Sequence, residues 1–183
     1  MMLNKELTPV KEAKYLIVVD MQNDFIDGSL GTPEAQAIVP AAAARIRRAI
    51  EEGYTVIATK DTHEENYLET AEGRKLPVRH CIRGTHGWQI ADAIADALGD
   101  SITVEKPTFG CVRLPEMIKP ADRLTIEVIG LCTDICVVSN ALLVKAFFPE
   151  AQVRVDSACC AGVTPERHSA ALETMASCQI DIL

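Results

Sequence analysis

Apolar positions along this chain fall into short unbroken runs, separated by stretches with helical spacing. "YLIVVD" (15–20) is a continuous apolar run ending in a carboxylate, the pattern of a strand buried on both faces. "VPAAAARIRRAIEEG" (39–53) spaces its apolar groups as a helix does and stops at a glycine. "YTVIATKD" (54–61) predicts a second strand, "GWQIADAIADALGD" (87–100) an amphipathic helix, and "SITVEK" (101–106) a third strand. "DRLTIEVIG" (122–130) predicts a fourth strand whose alternation puts Thr125 and Glu127 on one face, which the pattern alone does not explain. A helix over 134–148, a strand over 151–156, a helix over 164–178 with Pro165 in its first turn, and a short strand over 179–183 complete the series. Strands alternating with helices predict an α/β fold with a mostly parallel sheet and right-handed crossovers.

In such sheets ligands collect beyond the carboxyl ends of the strands. The polar residues predicted there are Asp20, Asp61, Lys106 and the turn at 131–136. Taken singly, Asp20 serves equally well as a turn cap, Lys106 as a solvated side chain and Cys136 as core. Together they bring a carboxylate, an ammonium and a thiol to one crevice, a combination that nucleophilic hydrolysis needs. Cys136 is expected in the first turn of a helix, where free N–H groups favour a thiolate.

Composition narrows the classes. The 183 residues suit one domain spanning 1–183, and 48% hydrophobic residues argue against disorder. A net charge of -8 excludes the basic surface that nucleic acid or an anionic membrane would select. The stretch "MMLNKELTPVKEAKY" has no signal-peptide core, so a cytoplasmic location is expected. Seven cysteines in a reducing compartment predict buried thiols in place of a disulfide framework. Cys81, Cys111, Cys159, Cys160 and Cys178 read as packing, and His86 and His168 as surface residues.

"VVDMQNDF" after the first strand, "VEKPTFG" ending the third and "GLCTDICV" after the fourth together resemble the isochorismatase-like cysteine hydrolases, nicotinamidase-like members above all. The resemblance runs from residue 15 to about 178. It implies a three-layer doubly wound sandwich with a six-stranded parallel sheet in the order 3-2-1-4-5-6. It implies a catalytic triad of Asp20, Lys106 and Cys136, with the backbone N–H groups of Cys132 and Cys136 binding the oxyanion and a cis peptide before Cys132. The branch that cleaves a vinyl ether lacks the cysteine, so hydrolysis of a small carboxamide is expected, nicotinamide foremost, by way of a thioester. Carbamoyl, ureido and aliphatic amides are the alternatives on the same triad. A non-catalytic metal-binding or redox protein using Cys132, Cys136 and His80 is a further, separate reading. The resemblance also implies a homo-oligomer, a dimer or tetramer.

An extended Asp61-Thr62-His63 points its first and third side chains the same way, toward one ion, and His80 supplies a third ligand. Nicotinamidases carry a comparable set, with a tryptophan where Thr62 stands and an aromatic where Leu76 precedes the proline. Three N/O ligands with open positions suit a divalent metal, zinc first, with iron or manganese as alternatives. A fourth ligand is expected among Glu64, Glu65, Glu69 and Glu72. Phe25, Gln22 and Leu76 are expected to line the substrate pocket, and Trp88 and Phe109 are further candidates for its wall.

Overall fold

The unbroken apolar run near the start of the chain becomes a central strand, sealed on both faces. The computed structural model describes residues 11–183, so the first ten residues of the expected 1–183 domain and most of the stretch read for a signal peptide lie outside the described residues. In chain order the elements are β1 (Glu12–Val19), α1 (Asn23–Ile26), α2 (Pro33–Glu51), β2 (Thr55–Asp61), α3 (Ala71–Lys75), α4 (Asp92–Leu98), β3 (Ile102–Lys106), α5 (Leu114–Met117), β4 (Arg123–Leu131), α6 (Val138–Phe147), β5 (Gln152–Ala161), α7 (Pro165–Ser177) and β6 (Asp181–Ile182). A 3₁₀ turn (Tyr67–Glu69) precedes α3, and a π-helical turn (Thr133–Val137) leads into α6.

The six strands form one parallel sheet in the order β3-β2-β1-β4-β5-β6. Right-handed crossovers place α2 and α4 on one face and α5, α6 and α7 on the other. This is the expected three-layer doubly wound sandwich. The strand order reverses between β1 and β4, and it is there that the carboxyl ends open a crevice. Register aligns the ends, pairing Val19 with Gly130 and Asp61 with Lys106. Gly130 has φ of 118°, and a Cβ there would lie 2.1 Å from the Val19 carbonyl oxygen, so no side chain fits between the two central strands.

Local chemistry moves several boundaries. α2 starts six residues before the pattern suggested, because Thr32 caps it by accepting from the Ala35 N–H at 3.0 Å and Pro33 sits at its first position. It then runs through Pro40. The helix expected from residue 87 begins only at Asp92. Residues 87–91 instead pair with the turn after β1: the N–H groups of Asn23 and Asp24 donate to Gln89 and Gly87, and that of Ala91 donates to Met21. β5 extends beyond the expected 156 to Ala161, with an irregularity opposite Val128 and Gly130, after which Cys160 pairs with Gly130, and Cys159 and Cys160 are both buried.

Glu127, unexplained from the pattern, is buried in β4 between two arginines. Arg45 of α2 reaches it with two nitrogens, one at 2.9 Å, and Arg154 of β5 approaches at 3.1 Å. Arg154 donates to the Tyr54 hydroxyl at 2.6 Å, and the Arg45 guanidinium lies over the same ring. A buried carboxylate is tolerated only when paired, and here the pairing ties α2 to the sheet. Glu127→Ala leaves two guanidiniums without their anion and should destabilise the protein by roughly 3–5 kcal/mol, read as a lower urea midpoint.

Candidate active site

Three strand ends and one helical turn meet at the crevice. Asp20 ends β1 in a left-handed conformation, φ 48°, that turns its carboxylate inward, and it is fully buried. The Lys106 ammonium ends β3 and lies 2.7 Å from Asp20 Oδ2, 3.1 Å from Asp61 Oδ1 and 3.5 Å from the Cys136 sulfur. The Thr59 hydroxyl donates to the other Asp20 oxygen at 2.7 Å. Asp20, Lys106 and Cys136 are therefore brought together, although 116 positions separate the first from the last.

Burial and charge compete at each group. Burial pushes the Asp20 carboxyl above its ordinary value, against the pull of Lys106. Burial disfavours the Lys106 ammonium, but Asp20, Cys136 and Asp61 outweigh it and raise its pKa, so the cation persists. The Cys136 thiol is pushed well up, first by burial and then by Asp20, with Lys106 opposing. Burial and Asp20 thus oppose the thiolate that a helix start would favour. Cys136 lies in the π-helical turn, before α6 begins.

The turn bearing Cys136 is held from both sides. Asn140, one helical turn on and fully buried, donates to the Cys136 carbonyl at 2.8 Å and accepts from the Cys111 N–H at 2.8 Å. The Leu131–Cys132 peptide bond is cis, as the resemblance implied. Cys132 lines the same cavity as Cys136. His168 was expected at the surface but is half-buried, sharing a 2.8 Å hydrogen bond with the buried Thr133 hydroxyl. His86 is exposed, as expected. Cys81, Cys111, Cys159 and Cys160 are buried thiols, and Cys178 is exposed.

Beside the Asp20, Lys106 and Cys136 group lies a second cluster. The ligand atoms of Asp61, His63 and His80 lie within 4.8 Å of one another, and no cysteine belongs to that group. Glu72 Oε1 stands 3.6 Å from His63 Nε2 and 3.8 Å from His80 Nε2, which selects Glu72 from the four glutamates left open. His80 Nδ1 bonds the Val78 carbonyl at 2.8 Å, leaving Nε2 with its lone pair toward the cluster. His63 Nε2 is buried without a hydrogen-bond partner, although Asp61 Oδ2 lies 3.0 Å away. An orphaned imidazole nitrogen converging with carboxylate oxygens is the donor set of a divalent ion, so the residues fit one. Tyr67, fully buried, packs its ring against both imidazoles with centroids 4.6 and 4.9 Å away.

A cavity of about 310 Å³ opens above both clusters, lined by Phe25, Leu30, Leu76, Phe109, Ile135 and Val163 on its walls and by Asp61, His80 and Cys136 at its polar end. Phe25, Leu76 and Phe109 are thus wall residues. Gln22 is not. Its buried amide grips the Asp61 backbone, accepting from the N–H at 2.7 Å and donating to the carbonyl at 2.8 Å, so it positions Asp61 instead of touching the cavity. Trp88 is also absent from the wall: its ring covers the Lys60 ammonium and its indole donates to the Thr62 hydroxyl at 2.9 Å.

A model of the isochorismatase domain matches residues 14–183. The chain belongs to the isochorismatase family. Among solved structures, pyrazinamidase of Pyrococcus horikoshii in complex with zinc superimposes with a TM-score of 0.79 at 30% identity, covering 94% of this chain and 98% of that one. Nicotinamidase/pyrazinamidase of Mycobacterium tuberculosis is 25% identical over 183 residues, 92% of this chain and 97% of that enzyme. Nicotinamidase of Saccharomyces cerevisiae is 30% identical over 110 residues, which span 45% of this chain and only half of the yeast protein. No helix among the described residues is long and apolar enough to cross a membrane.

The metal set generates a direct test. His80→Ala and Asp61→Ala should abolish retention of a divalent ion by the purified protein, and Glu72→Gln should weaken it less, as read by elemental analysis after dialysis. Wild-type protein that retains no zinc, iron or manganese after incubation with each would overturn the assignment.

Proposed function

We propose that the chain is a cysteine-dependent amidohydrolase that converts nicotinamide to nicotinate and ammonia. It is a hydrolase acting on C–N amide bonds, and the observation that carries the finer reading is the contact of one buried ammonium with both Asp20 and Cys136. Because burial and Asp20 raise the thiol pKa, the first step is a proton transfer. Asp20 takes the Cys136 S–H proton as the sulfur attacks the carboxamide carbon. The tetrahedral oxyanion is bound by the backbone N–H groups of Cys132 and Cys136. Asp20 then returns the proton to the leaving nitrogen, the C–N bond breaks, and ammonia departs from a thioester. A water deprotonated by Asp20 attacks that thioester, the C–S bond breaks, and the proton passes back to the sulfur as the acid leaves. Lys106 keeps Asp20 oriented and offsets the charge that builds between the two groups.

Asp61, His63 and His80, with Glu72 beside them, would hold a divalent ion, zinc being the one that the set and the Pyrococcus relative favour. Such an ion supplies a Lewis-acid anchor for a ring nitrogen or a water. Phe25 and Phe109 supply flat apolar walls for a pyridine ring, worth roughly 0.5–1.5 kcal/mol per aromatic pair beyond area burial. Leu30, Leu76, Ile135 and Val163 make the remaining wall aliphatic, which favours aliphatic or carbamoyl amides as competing substrates. A single domain, a dimeric or tetrameric assembly and a cytoplasmic location complete the reading.

Cys136→Ala should lower turnover by at least about 10⁴-fold with the fold intact, and Asp20→Asn should match it. Ammonia release from nicotinamide, pyrazinamide, benzamide and small aliphatic or carbamoyl amides ranks the substrates. Benzamide lacks the ring nitrogen, so benzamide turnover equal to that of nicotinamide would sink the anchored pose. Silence toward both pyridine and pyrazine amides, with turnover of a carbamoyl amide, would move the substrate to that class.

A further inference from the structure

We infer that His168 is a positioning residue for the nucleophile, acting through the Thr133 hydroxyl to fix the turn that presents Cys136. This rests on the amidohydrolase reading for its kinetics but not for its geometry. Thr133 opens the π-helical turn Thr133–Val137 and is fully buried, and its hydroxyl lies 2.8 Å from His168 Nδ1 in the first turn of α7. Within the turn, the Cys132 carbonyl accepts from both Ile135 and Val137 at 3.0 Å, and the Thr133 and Ile135 carbonyls accept from Val138. Side chains tie the turn to the elements around it. Asn140 holds the Cys136 carbonyl from the α6 side. From the α7 side, Asp134 accepts from the Val163 N–H at 2.9 Å, and Gly162 lies so close that a Cβ there would meet the His168 backbone at 2.8 Å.

The helix that carries His168 does not need this bond for itself. Thr164 caps α7 by accepting from the Arg167 N–H, Pro165 occupies its first position, and Ala171 and Met175 make its buried face. Nor does the packing need a hydroxyl at 133, since valine has nearly the same shape and would bring no polar group to satisfy. What the pair adds is direction: a hydrogen bond between a rigid ring and a rigid β-branched side chain fixes an angle that apolar contact leaves free. Burial lowers the His168 pKa against the pull of Asp134, which keeps the ring neutral at neutral pH and able to accept from the hydroxyl. Small errors at a nucleophile are costly, because a displacement of about 1 Å can lose roughly 10²-fold in rate.

The test compares His168→Leu, His168→Asn, Thr133→Val and the His168→Leu/Thr133→Val pair in the full-length protein. Readouts are kcat and KM for the best amide substrate, the rate of Cys136 alkylation by iodoacetamide followed by mass mapping, and the melting temperature. His168→Leu should lower kcat by about 10- to 100-fold with KM little changed, while Asn, which presents a polar atom near the place of Nδ1, restores most of the loss. Thr133→Val should show the same loss, and the double variant no more than either single one, since both remove one bond. Wild-type kcat in His168→Leu overturns the inference, and so does an Asn variant as slow as the Leu variant with a melting temperature lowered in step. If His168→Leu does not fold, the nearly isosteric Thr133→Val decides, and wild-type kcat there overturns it. If the wild-type protein hydrolyses no amide, it is the functional reading that fails. The alkylation rate then decides alone: a changed Cys136 rate in His168→Leu supports positioning, and an unchanged rate overturns it.

Discussion

A lysine ammonium with almost no solvent contact is the interaction on which the site depends. Removing such a charge from water costs several kcal/mol, recovered only where anions meet it in good geometry. Lys106 is 1% exposed and has Asp20 at 2.7 Å and Asp61 at 3.1 Å, one from each of two other strand ends. That requirement explains why the parallel register matters: it sets Asp61 directly beside Lys106, while Thr59 of the same strand bonds Asp20. A slip of one residue in β2 or β3 would turn these side chains to the opposite face and leave the ammonium unpaired. The same cation also touches both Asp20 and Cys136. With Asp20 and Cys136 both raised by burial, the proposed reaction moves a proton between two neighbours and avoids creating a free buried charge.

Asp61 connects the two halves of the site because its oxygens divide their work. Oδ1 serves Lys106, and Oδ2 faces His63 and His80. Asp20, Asp61 and Glu72 then set three carboxylates against one buried ammonium. This excess of negative charge is unfavourable in a dry setting, and a divalent cation among Asp61, His63, His80 and Glu72 would balance it. Burial and the neighbouring Asp61 already raise the Glu72 carboxyl, which is how an acid behaves when its neighbour is another anion. Gln22 adds to this economy of contacts by holding the Asp61 backbone at both ends, so the carboxylate has little freedom to choose another partner.

Much of this was legible in the sequence because strand ends are legible. The run 15–20 and the stretches ending at Asp61 and Lys106 put ionisable groups at the carboxyl ends of apolar strands, and a parallel sheet gathers such ends whatever their separation along the chain. Residues that act through another residue leave no such mark. Gln22 reads from the sequence as a pocket residue, whereas its role needs the Asp61 backbone, 39 positions away. His168 looks like an exposed position on an amphipathic helix until the π-helical turn and α7 are placed side by side. Glu72 could not be chosen from its neighbours because the 3₁₀ turn and α3 decide which glutamate faces the histidines. Asn140 did carry a signal, being four residues after Cys136 in helical sequence and so on the same face. Glu127 carried the opposite kind: a charge on a central strand predicts a partner, but only packing names Arg45 and Arg154.

The cavity completes the physical argument by what it withholds. Its walls are Phe25, Leu30, Phe109, Ile135 and Val163, while its polar end offers Asp61, His80 and Cys136. A small planar group filling this space would exclude water from the Cys136 sulfur, which lowers the local dielectric there. The indole that could have widened the aromatic wall is engaged elsewhere, over Lys60 and bonded to Thr62. The aromatic wall is left to Phe25 and Phe109, and Phe25, with its ring centroid 5.6 Å from that of His80, connects the wall to the Asp61, His63 and His80 cluster. The apolar wall and the polar end bearing Cys136 thus share one cavity.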